Sequence, residues 1–321
     1  MRETVKLYGA CGIVIRAGLY CAAAVPVIDA HIHAYAEDAF AAPAAWARAR
    51  GEAWWAQCVA PAGRRSLQGW ATVDQLLRDM DAAGIDLVVM QGWYWERQAT
   101  CDLQNSWFIQ WQRAHPDRIR AFAAVNPAGG ATAREALERA LDAGLCGVGE
   151  LLPQVQGGRL DDDDWGRVFT LAASRGLPVN LHVTDPLSFA PGPGVKATPL
   201  ETFIAMLRAH PATRFILAHW GGGLPFYELN PRLKPLFKNV FYDSAASSLL
   251  YDTRVFRRVA DLVGAERILW GTDYPLLTHP GRTREATFLY DLEDVRGAGA
   301  ALTPSELALV LGGNAARLLH L

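Results

Sequence analysis

Four histidines and one aspartate stand at the ends of short apolar stretches, where buried strands are expected to stop. These residues are His31, His33, His182, His219 and Asp273. Neutral imidazoles with a carboxylate and no thiolate are a donor set that suits Zn²⁺, and also Mn²⁺, Fe²⁺ or Co²⁺. The residue types therefore predict a site for a divalent metal ion.

The pair His31 and His33 adds a geometric reason for this prediction. Side chains two residues apart on a strand lie on the same face, about 7 Å apart, and two such imidazoles can bind one ion. Three or four protein ligands leave a position for water, whose pKa a bound metal lowers towards about 7. We therefore expect a catalytic rather than a structural metal, with Zn²⁺ favoured and Mn²⁺ as the alternative.

The strands that must position these residues are eight apolar runs, separated mostly by amphipathic helical stretches. The runs cover residues 25–33, 85–90, 119–126, 145–151, 178–183, 214–219, 240–244 and 267–272. This order predicts an α/β protein in which eight parallel strands close into a (β/α)8 TIM barrel. A doubly wound open sheet is the alternative, but the sequence lacks the G-x-G-x-x-G turn that it would carry after an early strand.

A closed barrel would bring the candidate residues together, because its chemistry lies at the carboxyl ends of the strands. Strand eight is then the neighbour of strand one, so Asp273 comes close to His31 and His33. Alternation along I-D-A-H-I-H predicts that the aspartate and both histidines face the barrel interior. The isoleucines and the alanine are then expected to face the helices.

Three threonines are predicted to start helices. Thr72, Thr198 and Thr303 each stand three residues before a Gln or Glu, which is the capping-box pattern. In this pattern the threonine side chain and the later side chain each satisfy a free backbone N–H group. We therefore expect a helix to begin directly after each threonine.

Residues 25–321 are predicted to form a single barrel domain. Within it, residues 34–69 separate the first strand from its helix and are predicted to be an insertion over the barrel mouth. Residues 1–24 are interpreted as an extra N-terminal strand or arm. A secretory signal is the alternative for this segment, and it is disfavoured because Arg16 interrupts the apolar stretch.

The composition argues against several classes of function. Lys and Arg number 31 and Asp and Glu number 33, giving a net charge of −2 that offers no basis for a nucleic-acid partner. No apolar run reaches the length of about 20 residues that crosses a bilayer, so no membrane partner is expected. The five scattered cysteines indicate free thiols in a reducing compartment, so we expect a cytoplasmic protein. The partner that we expect is a small-molecule substrate.

Several motifs resemble the amidohydrolase superfamily. They are V-I-D-A-H-I-H, L-H-V, I-L-A-H-W-G-G-G-L-P-F, I-L-W-G-T-D-Y-P and G-N-A-A-R-L-L. Across residues 25–319 they are similar to the amidohydrolase-related branch, which also holds the aminocarboxymuconate semialdehyde decarboxylase-like enzymes. The resemblance implies a distorted (β/α)8 barrel that binds one divalent ion and forms a homodimer.

The resemblance also implies roles for individual residues. By position, His31, His33, His182 and Asp273 resemble the metal ligands. His219 resembles a histidine beside the metal that handles protons or polarises the substrate. In the hydrolases of the superfamily, Asp273 would also take a proton from water.

Glu150 and a few neighbours of the strand ends complete the candidate set. Glu150 stands where some superfamily members place a carboxylate that bridges two ions, but we favour a hydrogen-bond acceptor behind the ligands or a substrate contact. Trp93 and nearby aromatic residues suggest a flat or apolar substrate. Arg64 and Arg97 could bind a substrate carboxylate.

Three functions are compatible with these residues. The favoured one is hydrolysis of a C–O or C–N bond in a small cyclic or aromatic compound. Non-oxidative decarboxylation of an aromatic or unsaturated carboxylic acid on the same site is the alternative. It is weakened because Gly222 stands where related decarboxylases often have a glutamate. A non-catalytic metal-binding protein is the third hypothesis.

Overall fold

The computed structural model describes residues 25–185 and 197–321, so the predicted N-terminal arm at residues 1–24 lies outside the described residues. Within these ranges the eight predicted strands are confirmed in order, and each is shorter than the apolar run that predicted it. They are β1 (Ile28–Ile32), β2 (Leu87–Met90), β3 (Ile119–Ala121), β4 (Val148–Leu151), β5 (Pro178–Leu181), β6 (Arg214–Leu217), β7 (Val240–Asp243) and β8 (Ile268–Leu269).

Helices follow most of the strands, as expected for a barrel built from βα units. They are α1 (Glu37–Ala41), α2 (Pro43–Arg50), α3 (Ala53–Val59), α4 (Val73–Ala83), α5 (Gln98–Ala114), α6 (Gly130–Asp142), α7 (Pro153–Gln156), α8 (Asp163–Ser174), α9 (Leu200–Ala209), α10 (Ser247–Leu250), α11 (Val255–Val263), α12 (Leu289–Arg296), α13 (Pro304–Ala308) and α14 (Asn314–Leu319). In the part of the chain that is described, no helix combines the length and apolar character needed to cross a bilayer.

Two parallel sheets, β1 to β3 and β4 to β8, join at two junctions to close the barrel. At the first junction Ala123, just after β3, pairs with Val148 of β4. At the second, the Asp273 N–H donates to the His31 carbonyl at 2.9 Å and the His33 N–H donates to the Tyr274 carbonyl at 2.7 Å. The predicted (β/α)8 TIM barrel is therefore confirmed, and its second junction brings Asp273 beside the two histidines.

Strict alternation along β1, as predicted from the sequence, is wrong. The pairing of β1 with β2 shifts register between Asp29 and Ile32. Ile28 and Ala30 pack in a cluster with Ile216 of β6, on the other sheet, so this cluster lies inside the barrel. Ile32 instead joins the large cluster between the strands and the helices. The register shift changes which face each residue of β1 presents.

Two of the three predicted helix starts use their threonines. Thr303 forms a complete capping box with Glu306. The Thr72 side chain accepts a hydrogen bond from the Gln75 N–H, which starts α4 as predicted. The Gln75 side chain, however, donates to Asp79 at 2.6 Å instead of returning to the backbone, so only half of that capping box forms.

The prediction that Thr198 caps a helix is wrong. α9 begins at Leu200, and Pro199 occupies the preceding position without a side-chain cap. The Thr198 hydroxyl donates instead to the Gln154 side chain in α7. A tertiary hydrogen bond therefore replaces the local one that the sequence pattern predicted.

Residues 34–69 carry α1, α2 and α3 and pack through aromatic rings. The Trp55 ring lies 5.4 Å from Trp46 and 5.3 Å from Trp95, measured between ring centroids. Trp95 is fully buried in the loop that follows β2. Aromatic packing therefore fixes this segment against the carboxyl ends of the first two strands.

Candidate active site

Six polar side chains meet inside the barrel at the carboxyl ends of its strands, and all but His182 are buried. They are His31 and His33 from β1 and its end, Glu150 from β4, His182 after β5, His219 after β6 and Asp273 after β8. The structure thus brings together the five residues that the sequence singled out, and it adds Glu150 to them.

The first group of possible metal ligands consists of His31, His33 and Asp273. The two Nε2 atoms lie 3.4 Å apart. The Oδ1 atom of Asp273 is 3.3 Å from Nε2 of His33 and 3.9 Å from Nε2 of His31. Ligand atoms at about 2.1 Å from a tetrahedral ion lie about 3.4 Å from one another, so this spacing suits one shared ion.

Hydrogen bonds orient the two imidazoles of this group. Nδ1 of His31 lies 2.9 Å from Oδ2 of Asp243, and Nδ1 of His33 lies 3.2 Å from the Gln91 carbonyl oxygen. Both partners are acceptors, so each Nδ1 donates, and the Nε2 atoms of the two rings face each other. Outer hydrogen bonds orient histidine metal ligands in this way.

Glu150, His182 and His219 form a second group beside the first. Oε1 of Glu150 lies 2.8 Å from Nδ1 of His182 and 3.3 Å from Nε2 of His219. Oε2 lies 3.8 Å and 3.7 Å from the Nε2 atoms of His31 and His33. The four residues predicted as metal ligands are therefore divided between two adjacent groups, and Glu150 contacts both.

His219 is held in a turn that directs its ring into the cluster. Its Nδ1 donates to the Ala245 carbonyl at 3.0 Å, and its backbone N–H donates to Oδ1 of Asp243 at 3.1 Å. The backbone of residues 219–223 has positive φ throughout. Because Nδ1 of His219 is fixed on a carbonyl, Nε2 is the atom that faces the site. It lies 3.1 Å from Nδ1 of His182.

The same turn explains the glycine at position 222. Gly222 has a φ of 55°, and a Cβ atom there would lie 2.9 Å from a methyl carbon of Val183. A larger side chain there, glutamate included, would therefore be strained and would press on Val183, just after β5.

The cluster carries an excess of buried negative charge. Glu150, Asp243 and Asp273 are all buried, and within residues 25–185 and 197–321 their ion-pair partners are histidines only. Burial opposes protonation of His31, but the Asp243 carboxylate raises its pKa to about 10. Burial likewise lowers the pKa of His219, and its hydrogen bond with Glu150 raises it to about 9.

The carboxylates show the complementary shifts. Burial raises the pKa of Asp273, but its hydrogen bond with His33 and the surrounding imidazoles bring it to about 2. Burial also raises the pKa of Glu150, and the His182 imidazole overcomes this and holds it well below the usual range. The site therefore demands positive charge, and its mixed nitrogen and oxygen donors fit a divalent metal ion.

Asp243 is a site residue that the sequence reasoning missed. It ends β7, accepts from His31 and from the backbone N–H of His219, and lies 3.4 Å from the Asn180 amide nitrogen. The available signal was its position, because a carboxylate at the end of a buried strand is expected to face the barrel mouth. By its contacts Asp243 fixes the orientation of two of the histidines.

We expect Asp243→Asn to weaken metal binding by about 10- to 100-fold, the usual cost of losing an outer hydrogen bond to a ligating histidine. The amide cannot supply the charge that Asp243 offers to Nδ1 of His31. Competition with a chromogenic chelator would measure the change, with the exposed Asp261→Asn as the control variant. Equal metal affinity in both variants would show that Asp243 does not orient the ligands.

A cavity of about 220 Å³ opens above the cluster. Its lining is mostly apolar and comes from residues 58–68, from the loops after β2 and β5, and from Leu249, Leu250 and Leu276. This volume is below the roughly 300–1,000 Å³ of sites for drug-sized ligands. The cavity therefore suits a small compound of about one ring.

The predicted substrate residues divide between this cavity and the protein surface. Trp93 lines the cavity, and its ring lies 5.4 Å from that of His33. Arg64 also lines it and is exposed. Arg97 is not among the lining residues; it precedes α5, where its backbone N–H donates to Glu52 at 3.1 Å. The structure thus places Trp93 and Arg64, but not Arg97, at the candidate site.

The fold and the site define the class of protein: a (β/α)8 barrel with a buried site for a divalent metal at the carboxyl ends of its strands. Residues 28–321 match the amidohydrolase family model, and the chain belongs to this family. The resemblance inferred from the sequence motifs is thereby confirmed. Among curated proteins, no sequence matches this chain.

Solved structures of similar fold cover 92% of this chain. The 5-carboxyvanillate decarboxylase of Sphingomonas paucimobilis is 18% identical, with a TM-score of 0.70 over 99% of its own chain. The 2,6-dihydroxybenzoate decarboxylase of Rhizobium is 18% identical, with a TM-score of 0.64 over 98%. A dihydroxybenzoic acid decarboxylase of Polaromonas sp. JS666, solved with manganese and 2-nitroresorcinol, is 17% identical, with a TM-score of 0.66 over 97%.

Proposed function

We propose that this protein is a metal-dependent enzyme that decarboxylates a small aromatic carboxylic acid without oxidation. The observation that carries the proposal is the small apolar cavity with a cluster of histidines and carboxylates at its floor. Three solved proteins of similar fold are decarboxylases of aromatic acids, which supports this alternative over the hydrolysis that the sequence favours.

The metal site of the proposal rests on the first group of ligands. A divalent ion held by His31, His33 and Asp273, with Glu150 and His182 beside them, would supply positive charge to a substrate carboxylate. Manganese and zinc both suit these donors; the sequence favours zinc, and the Polaromonas protein was solved with manganese. Activity of the metal-free protein after reconstitution with each ion would decide between them.

Side chains of the protein bind the aromatic ring of the substrate and donate the proton that replaces the carboxylate. Trp93 and Tyr94, whose rings stack at 4.2 Å, offer a wall against which a planar ring can pack. Decarboxylation breaks the C–C bond so that CO₂ leaves and its electron pair stays on the ring carbon, which then takes one proton. His219 is the proposed donor of that proton, because its Nδ1 is fixed on the Ala245 carbonyl and its Nε2 faces the site.

We expect the zinc- or manganese-loaded protein to release one CO₂ for each aromatic acid consumed. In D₂O the product should carry one deuterium at the carbon that bore the carboxylate. A panel of hydroxylated benzoates, followed by mass spectrometry and CO₂ detection, would measure both. The variant Arg97→Ala, altered outside the cavity, is the control and should remain active. Turnover of lactones or amides by the loaded protein, with no CO₂ from any acid, would contradict the proposal.

Hydrolysis remains a second candidate because of Asp273. This carboxylate lines the cavity, lies 3.3 Å from Nε2 of His33 and has a pKa of about 2, so it is ionised and offers an acceptor oxygen to a water molecule. A hydrolase would place one ¹⁸O atom from labelled water in its product. A decarboxylase would place none.

The remaining expectations stay predictions of the sequence. They are a homodimer, a cytoplasmic location and a small-molecule substrate as the sole kind of partner. Light scattering of the purified protein would test the first of these directly.

A further inference from the structure

The hydroxyl of Tyr94 is a polar group in the cavity wall that lacks a partner within residues 25–185 and 197–321. Tyr94 follows β2, lines the cavity and is only 5% exposed. Two other buried tyrosines have partners: the Tyr242 hydroxyl donates to Glu228 at 2.9 Å, and that of Tyr274 donates to Asp79 at 2.7 Å. Because Tyr94 borders the cavity, its hydroxyl can pair with water or with a ligand that the cavity binds.

The Tyr94 ring is held rigidly in place. It stacks on Trp93 at 4.2 Å with an angle of 26° between the planes, and it meets His182 edge-on at 5.3 Å. The loop itself is anchored by Gln104, whose Oε1 accepts from the Trp93 N–H at 2.8 Å and from the Trp95 indole at 2.7 Å. A ligand therefore meets a hydroxyl that is already oriented, and little conformational entropy is lost when it binds.

A tyrosine hydroxyl is protonated at neutral pH and can donate a hydrogen bond. Around it the cavity wall is mostly apolar, with Leu249, Leu250 and Leu276 among its members. A ligand that filled this space without offering an acceptor would leave the hydroxyl unpaired, which binding sites penalise strongly.

We propose that Tyr94 is a specificity-determining residue whose hydroxyl donates a hydrogen bond to an oxygen substituent on the ring of the bound aromatic acid. This inference rests on the proposed function, since it assigns Tyr94 to the recognition of that substrate. The metal ion held by its ligands would bind the carboxylate of the aromatic acid. Tyr94 would distinguish acids by the oxygen substituents on their rings. An aromatic acid with an unsubstituted ring should bind about 10-fold more weakly than the matching ring-oxygenated acid.

Binding of benzoate and of its 2-, 3- and 4-hydroxy isomers to the metal-loaded protein tests the inference. Quenching of tryptophan fluorescence reports binding, because Trp93 lies in the cavity wall. The wild type should bind at least one isomer about 10-fold more tightly than benzoate. Tyr94→Phe should bind that isomer and benzoate with similar affinity, because the hydroxyl that distinguishes them is gone. Equal metal content and melting temperature would show that the variant is folded.

Tyr35→Phe is the matched control. The Tyr35 hydroxyl is also without a hydrogen-bond partner, but it is sealed in the protein and does not line the cavity. This variant should keep every preference of the wild type.

The outcomes separate this inference from the proposed function. If Tyr94→Phe keeps the preferences of the wild type, or if the wild type shows none, the role of Tyr94 is overturned. If Tyr94→Phe loses the preference but the wild type releases no CO₂ from any acid, only the decarboxylase proposal fails. If no aromatic acid binds the wild type, both fail.

Discussion

Replacing Glu150 by glutamine is expected to abolish activity and to weaken metal binding by at least about 100-fold. Glu150 is 1% exposed, and its two oxygens contact the imidazoles of both ligand groups. Removing one partner of a buried charge pair costs about 3–5 kcal/mol, which corresponds to a factor of more than about 100 in an equilibrium constant. The amide would also place N–H donors where the site needs acceptors.

Metal titration by calorimetry and analysis of the purified protein by mass spectrometry would measure this effect. Glu138→Gln, on the exposed surface of α6, is the control and should bind metal as the wild type does. A Glu150→Gln protein that holds a full complement of metal and turns over normally would show that Glu150 is not part of the site. That result would instead favour the role predicted from the sequence, in which Glu150 accepts a hydrogen bond behind the ligands or contacts the substrate.

Asp273→Asn is expected to lower kcat by about 10³-fold, within the usual range for a group that moves a proton or holds charge at the reacting centre. Asparagine keeps the backbone bond from residue 273 to the His31 carbonyl, so the barrel junction should survive. Because the pKa of Asp273 is about 2, the wild-type carboxylate is ionised at every working pH. The loss should therefore be of the same size from pH 5 to pH 9.

Steady-state kinetics across that pH range, with metal content measured on the same samples, would test this prediction. The surface variant Asp252→Asn serves as the control, since its carboxylate pairs with Arg254 at the protein surface. Retention of more than about a tenth of wild-type kcat by Asp273→Asn would place this residue outside the reacting centre.

The barrel and the meeting of the site residues could be predicted from the sequence because both depend on strand order. Buried parallel strands are apolar on both faces, so the eight runs stand out. Closure of the barrel makes strands one and eight neighbours. This predicts that Asp273 lies close to His31 and His33, as the structure shows. Strand order is a coarse property, and it tolerates errors of a few residues at each boundary.

Other features depended on contacts that no local pattern encodes. The register shift in β1 arises from its pairing with β2, and it overrides the alternation that residues 28–32 suggest. Thr198 carries a clear capping pattern, yet its hydroxyl bonds to Gln154 in another helix. At Thr198 a tertiary hydrogen bond thus outweighs a local capping preference of about 1 kcal/mol.

The roles of single polar residues were the hardest to predict. Asp243 lies within the seventh apolar run of the sequence, and only the folded barrel shows that it orients His31 and His219. The sequence offers no pattern that distinguishes Arg64 from Arg97. In the structure Arg64 lies in the loop after α3 and lines the cavity, whereas Arg97 directly precedes α5 and lies outside it. These distinctions require the three-dimensional path of the loops.

A crystal of the protein soaked in manganese, with anomalous diffraction recorded, is the most direct test of the central claim. We expect a strong anomalous peak within about 2.3 Å of Nε2 of both His31 and His33 and beside the Asp273 carboxylate. Manganese peaks at surface carboxylates or elsewhere, with no peak between these two imidazoles, would contradict the proposed metal site.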